Sequence, residues 1–435
     1  MGTRPCTPPA RPPCGLAREQ RRTEPGRCGP ARTRCPVTRL GPWQDMPAAQ
    51  QPDWRDHAGY REACEGLASA PPLVTAAEVR RLRRSLARLL TTEALLLQLG
   101  DCAESFYACE PRHTAQKLRV IDGLGDRFSE LTGRSVMRVG RMGGQFAKPR
   151  SQATERHGAL TIPSFQGHLI NSEIASPLTR KADPRRMTWA YEASDKVQRA
   201  MRTHRQGGYR LPATEGPWSS HEALVIDYES HLVRRDPDTD DLYLASTHLP
   251  WVGERTRQPD HAHVALLSAV VNPVGCKIGP TADPDDVLRV CEALDPRREP
   301  GRLVLIPRMG AHRIQEALPP LVRRVANAGH PVVWLSDPMH GNTVKSRLGL
   351  KTRHLTDVIT EALRFRDILA ENRQHAAGLH IEVAADDVTE CVGGTVENEE
   401  ELRRHYTSLC DPRLNADQAT ELIEAWAKGT ATGRS

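Results

Sequence analysis

Eight short apolar runs are spaced along this chain, and nearly every one leads into a residue able to hold a metal or a phosphate. The runs are Ala94–Leu99, Val136–Gly140, Ala223–Ile226, Leu244–Leu249, Pro273–Gly275, Leu303–Ile306, Val332–Leu335 and Leu379–Val383. Cys102, Arg141, the Glu254–Arg255 pair, Lys277, Arg308, His340 and Glu382 end or follow them, and only the third run lacks an obvious counterpart. Helical patterns lie between them, among them Asp285–Leu294, Arg313–Ala328 and Leu355–Asn372, with Glu399–Leu409 and about Ala416–Lys428 after the last run. Strands alternating with helices must pair in parallel, because each crossover returns the chain to the same end of the sheet. The expectation is a (β/α)8 (TIM) barrel, whose chemistry sits at the carboxyl ends of its strands.

A chain of 435 residues buries such a core easily. The net charge of +6 is a property of one end: residues 1–45 hold nine Arg against Glu19, Glu24 and Asp45, which equals the whole excess. The remaining body is close to neutral, so no nucleic-acid face is expected. That stretch is rich in Pro, Arg and Gly with few large apolar residues, and reads as a disordered tail; a true start at Met46 is an open alternative. Residues 46–92 read as a short extension ending in a helix, in which Thr75 and Glu78 form a capping box ahead of Val79, Leu82, Leu86 and Leu89. Residues 93–435 read as the barrel. Gln152 to Ser219 reads as irregular chain with one helix near Arg186–Arg202. No run is long and apolar enough for a membrane span, and eleven scattered Cys without zinc-finger spacing suit a reducing cytoplasm.

Two sets of residues carry chemistry. Cys102, His340, Glu382 and Asp411 combine a thiolate, an imidazole and two carboxylates, a mixed set that suits Mn, Co or Fe, with Zn also compatible, better than Mg or Ca. Arg141, Lys148, Arg150, Arg255, Lys277 and Arg308 supply paired donors and point charges for several anions. Each residue alone has an ordinary structural explanation; their shared position at strand ends is what groups them. Glu254 reads as a general base, a water orienter or the ion-pair partner of an Arg. His221, Glu222 and His248 read as supporting groups. By themselves these residues allow any barrel metal-dependent aldolase or hydrolase acting on a phosphate.

Ten collinear motifs resemble class II 3-deoxy-D-arabino-heptulosonate 7-phosphate (DAHP) synthases. They are Leu97–Phe106 (LQLGDCAESF), Arg138–Ser151 (RVGRMGGQFAKPRS), His221–Glu229 (HEALVIDYE), Trp251–Gln258 (WVGERTRQ), Asn272–Pro280 (NPVGCKIGP), Arg308–Gly310, Asp337–Asn342 (DPMHGN), Gly378–Glu382 (GLHIE), Val388–Gly394 (VTECVGG) and Cys410–Asn415 (CDPRLN). The resemblance, over about Pro47 to Lys428, implies condensation of phosphoenolpyruvate with erythrose 4-phosphate, the first step towards shikimate and the aromatic amino acids. It implies Cys102, His340, Glu382 and Asp411 as divalent-metal ligands and Arg141, Glu254, Arg255, Lys277 and Arg308 as the phosphoenolpyruvate site, with Glu254 and Lys277 in catalysis. Lys148, Arg150 and Ser151 match the stretch that holds the sugar phosphate. It also implies a homo-oligomer.

The chain departs from the family at several places. Gln166-Gly167-His168 and Ile170-Asn171-Ser172 stand where an RGD and an Asn-Gly triplet are usual, and Leu99 replaces a usual Gly. Only about ten residues separate Gly208 from Ser219, where long regulated members carry a helical insertion, so weak or absent inhibition by aromatic amino acids is expected. The altered loop leaves open an imino analogue of erythrose 4-phosphate as acceptor, in a secondary-metabolite pathway. A non-catalytic paralogue modulating a partner enzyme is a further alternative, opposed by retention of every ligand. Cys410, beside Asp411, is expected near Cys102, where oxidation would join the two.

Overall fold

The computed structural model describes residues 41–91, 94–206 and 216–431, without the side chains of 429–431. Eight parallel strands close into a barrel: β1 (Ala94–Gly100), β2 (Ser135–Arg141), β3 (Trp218–Glu222), β4 (Leu249–Val252), β5 (Val274–Ile278), β6 (Leu303–Pro307), β7 (Val333–Ser336) and β8 (Ala376–Glu382). Each strand pairs with its neighbours in chain order, and β8 closes onto β1. The register levels Gly100, the last residue of β1, with Arg141 on β2 and Glu382 on β8. A cation and a carboxylate are thereby fixed on either side of the strand that leads to Cys102.

Most helical expectations hold within three residues: Pro284–Leu294, Ile314–Asn327, Leu355–Glu371 and Ala416–Ala431 all form, and Arg186–Gln206 extends the helix expected near Arg186–Arg202. The capping box is present, with Glu78 N donating to Thr75 Oγ1 (3.2 Å) and Thr75 N to Glu78 Oε2 (2.9 Å). Leu82 and Leu86 of that helix, Ala76–Ala87, together with Leu89 join the inward-facing Leu96, Val139, Trp218, Val304 and Leu335 in one buried cluster. The helix thus plugs the amino-terminal end of the barrel, leaving chemistry to the other end.

Three expectations need correction. The third run, Ala223–Ile226, is not the strand; β3 is the preceding Trp218–Glu222, and the apolar run leads into a short helix, Ile226–Ser230. The reason is a polar barrel interior. Ser220 Oγ accepts from Gln98 Nε2 (2.9 Å) and Gln98 Oε1 lies 2.8 Å from His380 Nδ1, so β3 meets this interior with a small polar side chain at its centre. The fourth run is displaced too, since Leu242–Leu244 pairs antiparallel with Val233–Arg235 outside the barrel and β4 begins at Leu249. Finally, Glu399–Leu409 makes only a 3-10 turn over Glu399–Arg403. Glu390, fully buried, draws the N–H groups of Thr407 and Ser408 to itself (3.0 and 2.7 Å), which opens the chain into a loop.

Between β2 and β3 the chain also forms a hairpin, Thr154–His157 with Leu160–Pro163, that the sequence reading left irregular. Most of the expected tail, residues 1–40, and most of the shortened stretch after Gly208 lie outside the described residues. Trp43, assigned to that tail, is buried, with Nε1 donating to Ser230 Oγ (3.0 Å). No helix among the described residues is long and apolar enough to cross a membrane.

Candidate active site

The carboxyl ends of the strands surround a cavity of about 390 Å³. Its walls carry Arg141, Lys148, Arg150, Ser151, Glu254, Arg255, Lys277, Arg308, His340 and Asp411. Cys102 and Glu382 lie directly behind them, within reach of Lys148. Sequence residues spread over more than three hundred positions are thus gathered at one end of the barrel.

The cationic half is built on Trp251. Its ring lies 5.3 Å from the Arg141 guanidinium and 6.0 Å from Lys277 Nζ, so an aromatic face supports both charges away from water. Arg141 is fixed by the carbonyl of Asp101 (3.1 Å) and by Glu382 (3.0 Å), with His380 Nε2 at 2.5 Å. Lys277 pairs with Asp337, and burial pushes its ammonium down to about 8 despite that partner. Arg308 donates through Nη2 to the carbonyl of His340 (2.7 Å), while its buried Nε has no hydrogen-bonding partner among the described residues. An unpartnered guanidinium donor in a cationic cavity is what an anionic ligand would satisfy.

Glu254 does form an ion pair, but with Arg257 (2.9 and 3.0 Å) rather than with Arg255, and it also accepts from Gly279 N (2.7 Å). Arg255 reaches across the cavity to Ser151 Oγ (2.7 Å), so it bridges the stretch expected to hold the sugar phosphate and the one expected to hold phosphoenolpyruvate. Arg150 lies 3.3 Å from Glu155 and 3.8 Å from Cys410 Sγ.

Three of the four expected metal ligands converge on a cation, and the fourth, His340, joins them through Glu382. Lys148 Nζ stands 2.7 Å from Cys102 Sγ, 2.9 Å from Asp411 Oδ2 and 3.4 Å from Glu382 Oε1. His340 Nε2 lies 3.1 Å from the same Glu382 oxygen, and Asp411 N donates to Cys102 Sγ at 3.3 Å. Burial works against every charge here, yet Lys148 is held well above its ordinary value by Asp411, Cys102 and Glu382. Glu382 is held well below its own by His340, Lys148 and Arg353. Among the described residues no three His, Cys, Asp or Glu side chains close to metal-shell spacing; the donors stand around the ammonium instead. A thiol and two carboxylates gathered about one positive charge, with an imidazole against one of those carboxylates, fit a divalent cation. Asp337 completes the arrangement, since its Oδ2 lies 2.8 Å from His340 Nδ1 and turns Nε2 towards Glu382 and the donor set.

Two further features emerge only in three dimensions. Glu222 ends β3, the strand that seemed to carry no functional residue, and lines the cavity; its Oε1 has no partner among the described residues, and burial raises its carboxyl. Its place at the carboxyl end of a strand was the available signal, hidden while the strand was put five residues late. The altered loop Gln166–Ser172, by contrast, does not line the cavity. His168 packs edge-on against Phe106 and Phe165, Asn171 binds the carbonyls of Ser164 and Arg180 (2.9 and 3.1 Å), and the loop supports the site from behind, through Lys148 N donating to Gln166 O (2.8 Å) and Leu169 N donating to Phe146 O (3.0 Å). Cys102 and Cys410 are both free thiols packed in one small cluster with Phe165.

The sequence profile of the Class-II DAHP synthetase family matches residues 38–215 and 213–427. A probable phospho-2-dehydro-3-deoxyheptonate aldolase of Pseudomonas fluorescens is 43% identical over 379 residues, which cover 87% of this chain and 94% of that protein. A phospho-2-dehydro-3-deoxyheptonate aldolase of Streptomyces coelicolor is 39% identical, covering 87% and 94%, and one of Mycolicibacterium smegmatis is 35% identical, covering 86% and 91%. The solved structure of phospho-2-dehydro-3-deoxyheptonate aldolase from Francisella tularensis SCHU S4 matches with a TM-score of 0.52 at 14% identity, covering 86% of this chain and 97% of that one, and so bears on the fold alone. Since the profile runs without a gap from before Cys102 to beyond Asp411, the whole constellation lies inside the match, and the chain belongs to the class II DAHP synthase family.

Proposed function

We propose that this chain condenses phosphoenolpyruvate with erythrose 4-phosphate and water to give DAHP and inorganic phosphate, opening the route to shikimate and the aromatic amino acids. The observation that carries this is the meeting, in one cavity, of a cationic half on Trp251 and a mixed donor set around Lys148. Arg141, Lys277 and Arg308 hold the phosphate and carboxylate of phosphoenolpyruvate, with the free Nε of Arg308 as one of the donors. Arg255 joins them on phosphoenolpyruvate, Arg150, Ser151 and Lys148 hold the sugar phosphate, and the Arg255–Ser151 contact keeps the two anions side by side. Positioning of this kind supplies much of the rate in a reaction between two bound substrates.

Cys102, His340, Glu382 and Asp411 would hold a divalent cation, Mn, Co or Fe by donor type with Zn also compatible, which supplies Lewis-acid polarisation of the aldehyde. C3 of phosphoenolpyruvate attacks the aldehyde carbon, and the positive charge left at C2 is met by water. Glu254, fixed by Arg257 and Gly279 N, orients that water. The hemiketal phosphate then expels inorganic phosphate, with its charge taken up by Arg141, Lys277 and Arg308. Residues 46–92 act as an extension whose last helix supports the barrel of 93–435. The enzyme works in the cytoplasm as a homo-oligomer, with weak or no response to aromatic amino acids.

The test is release of phosphate from phosphoenolpyruvate by the purified chain with and without erythrose 4-phosphate. Release that requires both substrates, disappears with a chelator and returns with Mn²⁺ or Co²⁺ is expected. Release without the aldehyde would indicate a hydrolase, and no release at all a non-catalytic paralogue.

A further inference from the structure

Arg353 lies outside every motif discussed so far, yet its side chain is fully buried behind the donor set. Its Nη1 is 2.9 Å from Glu382 Oε2 and also donates to the carbonyl of Pro412, next to Asp411. Its Nε donates to Thr343 Oγ1 at 3.0 Å, three residues beyond His340. One guanidinium therefore ties together β8, the loop that carries Asp411 and the loop that carries His340.

The Glu382 contact has a further consequence. Oε1 faces His340, Lys148 and Arg141, whereas Oε2 faces Arg353 alone and has no aligned hydrogen bond among the described residues. Charge attraction to Arg353 thus decides which oxygen of Glu382 turns towards the donor set. The planar fork of Arg suits a junction of three acceptors; a Lys in its place has one point of charge and reaches fewer of them. Nothing else among the described contacts joins these three segments at one side chain.

We propose that Arg353 is the positioning residue of the metal site: it presents a single oxygen of Glu382 and ties the His340 and Asp411 loops to β8, so that their donors close on one divalent cation. This rests on the metal reading above. Residues of this kind, one step behind the ligands, typically change metal affinity about 10- to 100-fold when lost.

The test is direct titration of the chelator-stripped full chain with Mn²⁺, reading free Mn²⁺ by its paramagnetic resonance signal, without turnover. Phosphoenolpyruvate binding is followed separately by the change in tryptophan fluorescence, with Trp251→Phe to identify the part that comes from the cavity. Arg353→Met is expected to weaken Mn²⁺ binding about 10- to 100-fold, and Arg353→Lys to fall between it and the native chain. Phosphoenolpyruvate binding without metal should change less than about threefold, since Arg353 does not line the cavity. Arg302→Met is the control: Arg302 is buried and donates to the carbonyls of Leu294 and Leu267 (3.1 and 2.6 Å), far from any ligand-bearing loop. It should lower thermal stability and leave Mn²⁺ affinity unchanged.

Native-like Mn²⁺ affinity in a cooperatively melting Arg353→Met chain overturns the proposal, as does an equal loss in Arg302→Met. If Arg353→Met does not fold, Arg353→Lys and Thr343→Val decide it, and two native affinities overturn it. A native chain that takes up no Mn²⁺ overturns the metal reading and this inference together.

Discussion

Lys277 carries a charge whose burial can be read out as a pH dependence. It is 5% exposed, and burial lowers it from 10.5 to about 8 even with Asp337 beside it. A depression of this size corresponds to roughly 3 kcal/mol of cost to keeping the ammonium charged in the folded protein. A bound phosphoenolpyruvate anion relieves that cost, so the charge favours ligand over water. As pH rises through about 8 the free enzyme loses this charge, and kcat/KM for phosphoenolpyruvate should fall along an alkaline limb centred there. In the complex the anion raises the Lys277 value again, so the limb in kcat should lie at higher pH. The same titration does not unfold the chain. Between about 8 and 10.5 the unfolded chain holds more protons at this position, so its contribution to folding becomes more favourable as pH rises. Lys277→Arg keeps a charge to above about pH 12 and should erase the limb, at reduced activity because the fork does not fit the Asp337 contact. Lys277→Met should lower kcat/KM by about 10- to 100-fold at pH 7, the value of one charge-assisted hydrogen bond of about 1.5–3 kcal/mol. Steady-state kinetics from pH 6 to about 9.5 test this; an unchanged limb in Lys277→Arg would refute the assignment.

Asp337→Asn removes the acceptor on His340 Nδ1 and the partner of Lys277, so both Mn²⁺ affinity and phosphoenolpyruvate affinity should drop, the first by about 10- to 100-fold in direct titration. Leu86→Ala empties part of the plug beneath the barrel and should cost about 2–5 kcal/mol in denaturant unfolding while leaving both KM values unchanged. Gly167→Ala should destabilise by about 1–3 kcal/mol: φ is +101° and the added methyl would lie 2.1 Å from the Phe146 carbonyl, a backbone contact that cannot turn aside. Phe, Tyr or Trp at millimolar concentration should leave phosphate release within about twofold, as an uncoupled barrel requires.

The barrel was legible because seven of its strands end in, or lead into, residues able to hold a metal or a phosphate, an order that single surface charges do not produce. What failed was the use of apolar content to locate a strand. Ser219, Ser220 and His221 make β3 look like a turn, yet all three are buried: Ser220 on a polar chain through Gln98, His380 and Arg141, Ser219 against His248 and His221 against Glu229. Once β3 is put at Trp218–Glu222, Glu222 becomes the strand-end residue that the eight-fold pattern called for. Which residues meet was also legible, through the motifs; how they pair was not. Glu254 with Arg257, Arg255 with Ser151 and Lys148 with the donor set all depend on side-chain direction across loops, which neither spacing nor periodicity encodes. Arg353 was invisible for the same reason, having no motif and no charge run to mark it.

The loop at Gln166–Ser172 changes what its altered sequence means. Loss of an Arg and an Asp suggested a different acceptor, but a residue selects a substrate only by touching it or by moving one that does. His168 is spent on packing against three aromatic rings, and Asn171 on tying the loop to itself. The connections to the stretch that carries Lys148 are backbone bonds, Lys148 N to the carbonyl of Gln166 and Leu169 N to the carbonyl of Phe146, which any side chain at position 166 would leave in place. The ground for holding an imino acceptor open therefore falls away. A Gln166→Arg, His168→Asp double variant, which restores the usual pair, should keep the same order of preference among four-carbon aldehyde phosphates and alter thermal stability instead, because the aspartate would enter an aromatic cage built for an imidazole. A change in aldehyde preference greater than about tenfold, with stability unmoved, would return the loop to the substrate.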